Sequence, residues 1–158
     1  MAYWTRPEEV LKDFETRFRS RANQLGFNFI GLQDENLLTE YPALTISQGP
    51  VLREIHGTQK YIVQFEVSFW IYHANYESTH AKRSIEDMEL ATNVIRYLHS
   101  PGVRTLQDDS NPDPNPNRII FGFVAQEIPG RIAREGRSGV ILTRLVWQGA
   151  TEVNFNDA

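Results

Sequence analysis

From about Pro7 to Leu25, the apolar residues Leu11, Phe14, Phe18, Ala22 and Leu25 recur at three- and four-residue steps among polar neighbours, the spacing of an amphipathic helix. Thr5 suits the cap position, Glu8 completes a capping box, Pro7 falls in the first turn, and Gly26 is placed to end the helix in a left-handed conformation. Glu8 and Glu9 open the segment while Arg17, Arg19 and Arg21 close it. That order complements the helix dipole, so the arginines are expected to form a solvated helix end.

Beyond Gly26 the period shortens to two. A short strand is expected over Phe27–Gly31, and Tyr41-Pro42 leads into a β-prone run, Ala43–Ser47. Gln48-Gly49-Pro50 reads as a turn, and Val51–His56 and Lys60–His73 read as strands joined around Gly57-Thr58-Gln59. In the longer strand Tyr61, Val63, Phe65, Val67, Phe69 and Ile71 share one face, opposite Gln64, Glu66 and Ser68. Such alternation belongs to a half-buried antiparallel strand. A second helix is expected over about Thr79–His99, with Ala81, Ile85, Met88, Ala91, Ile95 and Leu98 as its apolar stripe, stopped by Ser100-Pro101-Gly102. Residues 108–117, DDSNPDPNPN, contain nothing to bury and read as an exposed, mobile polar loop. Ile119–Ile128 and Gly139–Gln148 complete the strands, and the polar tail, about 150–158, is expected to fray.

Helices that do not alternate regularly with strands, joined to strands by hairpin-length connections, predict an α+β fold, two helices packed on a mainly antiparallel sheet. The 158 residues suit a single domain, 1–158, large enough to bury an ordinary core. Apolar residues at 41% and charged residues at 23% exclude wholesale disorder and collagen-like or coiled-coil arrays. No run approaches the roughly 20 apolar residues of a membrane span, and Met1–Pro7 lacks the pattern of a signal peptide. Sixteen basic and twenty acidic residues leave a net charge of -4, too small to drive global attraction to nucleic acid or an anionic membrane.

The absence of cysteine removes disulfides, thiolate nucleophiles and Cys-ligated metal sites. His56, His73, His80 and His99 show no short ligand spacing, and neither a GxSxG elbow nor a phosphate-cradling GxxxxGK[ST] or GxGxxG loop occurs. Glu86, Asp87 and Glu89 are expected on the outward face of the second helix rather than as a converging acid–base pair. The sequence therefore predicts a non-enzymatic protein with no catalytic residue, cofactor or metal. Two features point to contacts with other chains. Arg131, Arg134 and Arg137 lie in a connection that looks too long for a mere hairpin, and Trp70 and Tyr72 fall on the strand face opposite Val67, Phe69 and Ile71. Either the helices cover that aromatic face or another chain does.

The order and length of these elements resemble the tail terminator (tail completion) proteins of long-tailed bacteriophages, the lambda-type family. The resemblance spans most of the chain. It rests on the opening helix EEVLKDFETRFRS, on YPALTI entering the sheet, on the strand YIVQFEVSFWIY, on the helix SIEDMELATNVIRYL and on the closing strand GVILTRLVWQGATEV. The proline-rich stretch 108–117 is not matched by the family's pattern.

The resemblance implies a virion subunit, assembled in the host cytoplasm, that forms a homo-oligomeric ring, usually a hexamer, at the head-proximal end of the tail. Such a ring caps the tube, ends its polymerisation and offers a surface to neck or connector proteins, with the sheath as a further partner in contractile tails. DNA would be met only as it passes through the bore, and no membrane is involved. Trp70 and Tyr72 are then expected at subunit contacts, and Arg131, Arg134 and Arg137 at a neighbouring ring or the bore. A neck or head-closure ring of the same particle has similar properties. A small-molecule-binding or hydrolytic α+β domain, with a pocket lined by Tyr61, Phe65 and the histidines, is the alternative from a different class.

Overall fold

The computed structural model describes residues 7–32, 40–56, 60–75, 80–107, 119–135 and 138–154. Within them the chain runs α1 (Pro7–Ser20), α2 (Ala22–Leu25), β1 (Phe29–Leu32), β2 (Ala43–His56), β3 (Lys60–Asn75), α3 (His80–Leu98), β4 (Phe121–Glu135) and β5 (Ser138–Asn154). The strands form one sheet in the order β1-β2-β3-β5-β4, with only the β1–β2 pair parallel. This is the expected α+β architecture, with the expected first helix divided at Arg21. Gly26 ends α2 at φ 94, where an L side chain would be strained, and its N–H closes on the Ala22 carbonyl. Thr5, the expected cap, lies outside the described residues.

The three described helices each bury part of their apolar side chains against the same sheet face. Val10, Phe14 and Phe18 of α1, Leu25 of α2, and Leu90, Ala91, Val94 and Leu98 of α3 join Leu44, Ile46, Val63, Phe65, Val67, Phe69, Ile71, Leu145 and Trp147 in one cluster. Its centre is aromatic. The Phe14 ring meets Phe69 edge-on at 5.2 Å and Trp147 edge-on at 4.9 Å, while Phe18 packs against Phe69 at 5.1 Å and Tyr97 at 5.0 Å.

Several expectations change in the folded chain. Gln48-Gly49-Pro50 is no turn, because β2 runs unbroken from Ala43 to His56 and its register against β3 shifts between Gln48 and Val51. Pro50, which has no N–H to give a ladder, is accommodated in that bulge. The tail is ordered further than its polarity suggests. β5 is paired with β3 through Lys60↔Asn154 and with β4 as far as Phe121↔Ala150, and Ala150 and Thr151 are buried. Residues 155–158 and the loop 108–117 lie outside the described residues. The arginines closing the first helix are not a simple solvated end. Arg17 pairs with Asp13 at 2.7 Å and also donates to the Gln107 carbonyl, and Arg19 donates to the Ile30 carbonyl at 3.2 Å.

The buried stripe of α3 is turned by about one residue from the expected one. Asp87, Leu90, Ala91, Val94 and Leu98 face the sheet, whereas Ile85 and Met88 stand 59% and 63% exposed. Asp87 can occupy the inward position because the Thr143 hydroxyl of β5 donates to its Oδ2. Among the described residues no helix is long and apolar enough to cross a membrane.

Candidate functional site: the sheet face away from the helices

Strand alternation puts every second residue of the sheet on the face that the described helices leave uncovered. In cross-strand order this face carries the rows Ala43–Tyr72–Leu142, Thr45–Trp70–Arg144, Ser47–Ser68–Val146 and Leu52–Gln64–Ala150–Phe121, with Glu66 opposite Gln148 and Phe123 between the last two. The helices do not cover the aromatic pair that the sequence singles out. Tyr72 is nonetheless buried, as are Ala43, Thr45, Ser68 and Val146 on the same face, so this end of it is shielded within the chain, and Trp70 is half-buried.

Trp70 is held by two contacts. Its Nε1–H donates to Ser47 Oγ at 2.9 Å, and the Arg144 guanidinium lies over its ring, 5.0 Å from the centroid. Arg144 is fixed in turn by Nε and Nη2 donating to Ser68 Oγ at 3.1 and 3.0 Å. A cation stacked on tryptophan and tethered by hydrogen bonds presents a flat, amphipathic surface in a single conformation. Fixing both side chains beforehand lowers the entropy lost on binding.

Towards the other end of the face lies a groove of about 340 Å³, lined by Pro50, Leu52, Gln64, Glu66, Phe121, Phe123 and Gln148. Leu52, Phe121 and Phe123 are 62%, 44% and 40% exposed, and the two phenyl rings lie 6.0 Å apart. Gln148 Nε2 donates to Glu66 Oε1 at 3.0 Å, which sets the polar floor between the apolar walls. An exposed apolar surface with a defined polar strip is the composition of an interaction site.

The arginine segment takes a different form from the connection expected. Arg131 and Arg134 are strand residues, because β4 extends to Glu135 and pairs Arg131↔Leu142, Arg134↔Gly139 and Glu135↔Ser138. The extension is possible because the ladder steps past Pro129 and Gly130 at a register shift between Ile128 and Arg131, a tolerated place for proline at a sheet edge. Arg131 consequently shares a cross-strand row with Leu142 and Tyr72, and Arg134 one with Gly139 and Asn75, near the hairpin end. Arg137 lies outside the described residues. The sheet thus brings Trp70, Tyr72 and the Arg131 position into neighbouring rows, with Arg134 set apart.

Arg144, Leu52, Phe121 and Phe123 were not singled out by the sequence reading. The alternation Phe121-Gly122-Phe123 carries a signal of a one-sided aromatic edge, but joining it to Leu52 requires the register of four strands.

A second polar group sits on the helix face, where the sequence pattern predicts only a solvated acidic helix surface. Asp87 is 4% exposed, and His73 Nε2 lies 3.3 Å from Glu86 Oε2. Asp87 Oδ1 and His73 Nδ1 have no hydrogen-bond partner among the described residues. Burial raises the Asp87 carboxyl above its ordinary range, against the opposing pull of the Thr143 hydroxyl and His73. The folded chain therefore holds this proton more tightly than the unfolded chain. Its contribution to stability is full below about pH 4 and is lost as pH rises through the raised value. Asp87→Asn is expected to remove that decline and to raise stability at neutral pH by about 1 kcal/mol, the low end for a buried polar group short of partners. Thermal melts of both proteins from pH 4 to 8 check this, with the curves converging at the acid end.

His99, at the far end of α3, accepts a hydrogen bond from the Val124 amide at Nε2, 3.0 Å away. Neither His73 nor His99 lines the groove that Phe65 reaches, the side chains of Tyr61, His56 and His80 lie outside the described residues, and no metal-ligating group of His, Asp and Glu is formed among the described residues. A scan of protein-family models finds no match to this chain, and a search of curated proteins finds none either.

Proposed function

We propose that this chain is a structural, non-enzymatic subunit of a phage tail, a terminator that forms a ring at the head-proximal end of the tube. The observation that carries the reading is the sheet face away from the helices, with its Trp70–Arg144 stack and its exposed Leu52, Phe121 and Phe123. A chain that works by assembly needs such a surface, whereas an isolated monomer gains nothing from exposing it. The resemblance of element order to the tail terminator family supports the same reading. A ring built by repeated head-to-tail contact closes at a fixed number of subunits, hexameric in that family, and leaves its upper and lower surfaces different. One surface would stack on the last tube ring. The other would present nothing that a further tube subunit recognises, so growth stops and a neck protein can bind.

Electron microscopy of particles made without this chain tests the proposal. Overlong or unjoined tails are expected. Finished tails of normal length beside leaking heads would replace the terminator reading by a head-closure ring. Within the purified protein, Leu52→Ser combined with Phe121→Ser, both at exposed positions, is expected to leave circular dichroism unchanged while abolishing the sedimenting oligomer. A ring of unchanged size in that variant would remove this part of the face from the subunit contact.

A further inference from the structure

The chain exposes a second apolar surface, on the side of the molecule opposite the groove. On the outer face of α3, Ile85, Met88, Thr92 and Arg96 follow one another at three- and four-residue steps, forming a ridge with two large apolar side chains at one end and a cation at the other. Ile85 and Met88 are more exposed than any of the groove's aromatics, at 59% and 63%. The ridge spans about 17 Å at the rise of an α-helix. The groove spans about 14 Å from β2 to β4, three strand spacings. Among the described residues its one charged lining residue is Glu66, beside the amides of Gln64 and Gln148.

We propose that the α3 ridge of one copy docks in the Leu52–Phe121–Phe123 groove of the next, head to tail. Ile85 and Met88 meet the apolar walls, and Arg96 faces Glu66. Glu89, which lies along the ridge, meets the amide donors of the groove. The two surfaces belong to opposite sides of the fold, one on the outside of the helix layer and one on the uncovered sheet face, so the contact is heterologous. Repetition then produces a closed ring or a filament rather than a two-fold dimer. The proposal rests on the ring-forming reading above and names the surfaces that make the ring.

The chain has no cysteine, so Met88→Cys with Phe123→Cys introduces a single pair of thiols per copy. Under mild oxidation at millimolar protein concentration the double variant is expected to give a ladder of covalent multimers on a non-reducing gel. Each single-cysteine variant is expected to stay at 18.2 kDa. No ladder, or disulfide dimers from a single-cysteine variant, overturns the docking. The second measurement is sedimentation velocity of Met88→Asp and Phe123→Asp, both at exposed positions. Each variant alone is expected to be monomeric, and their mixture to give a species of two chains and no larger, because one chain supplies an intact groove and the other an intact ridge. A ring that persists in both variants overturns the docking and leaves the ring-forming reading standing. A ladder from a chain whose removal leaves tail length normal keeps the docking and ends the terminator reading.

Discussion

Phe14→Ala is expected to cost the fold about 3–5 kcal/mol, the range for a large aromatic removed from a core that cannot collapse around the gap. Phe14 is fully buried and is the only described side chain of α1 whose ring touches both Phe69 and Trp147, so it ties the helix to β3 and β5 together. Its removal leaves a cavity bounded by strand side chains whose backbones are paired on both sides and cannot move inward. A urea titration should show the midpoint falling with an unchanged slope, and the melting temperature should drop by roughly 10 °C. A loss under 1 kcal/mol would mean that α1 is not anchored through this ring.

Gly149→Ala is expected to be nearly as damaging, at about 1–3 kcal/mol, the usual cost of an overfilled core. A Cβ placed on Gly149 would lie 2.3 Å from the Trp147 indole, and one placed on its cross-strand partner Gly122 would also lie 2.3 Å from it. The two glycines therefore form the seat of a fully buried tryptophan. An indole cannot yield as the end of a flexible chain can, so the ring must leave its rotamer or the strands must part. Gly149→Ala with Trp147→Leu frees the space, and the double variant is expected to lose less than the two single losses added together. Chemical denaturation of the four proteins measures that coupling. Full additivity would show that the glycines matter for some other reason.

These two residues illustrate different degrees of legibility. Phe14 stands in a three- and four-residue apolar repeat, and such a repeat names the buried side of a helix whatever the helix packs on. Gly149 and Gly122 are 27 positions apart and carry no local sign of a shared role; only the register Gly122↔Gly149 sets them together beneath Trp147. The same holds for the candidate site. Alternation along β3 separates Trp70 and Tyr72 from Val67, Phe69 and Ile71 before any fold is known. The partner that stacks on Trp70 comes from β5, 74 positions later, through Trp70↔Arg144.

α3 marks where local pattern misleads. Its sequence offers two overlapping stripes, one through Ile85 and Met88 and one through Asp87, Ala91, Val94 and Leu98. Hydrophobicity alone favours the first. The second is buried because Thr143 supplies the aspartate with a hydrogen bond and because Leu90 and Val94 fill the cluster against the sheet. Burial of a polar group can be offset when the fold provides its partner, and that partner is far away in the chain. Burial of the second stripe leaves Ile85 and Met88 as an exposed ridge.

The sequence by itself determined the helical and extended periods, the left-handed stop at Gly26 and the two-sidedness of β3, because each follows from sterics and burial within a few residues. Only the tertiary structure decided which α3 stripe faces inward, how far β4 and β5 extend through Arg131, Arg134 and Thr151, and which side chains meet on the uncovered sheet face. Those outcomes depend on strand order and register, and a register is chosen by the sum of contacts across the whole sheet, not by any segment within it.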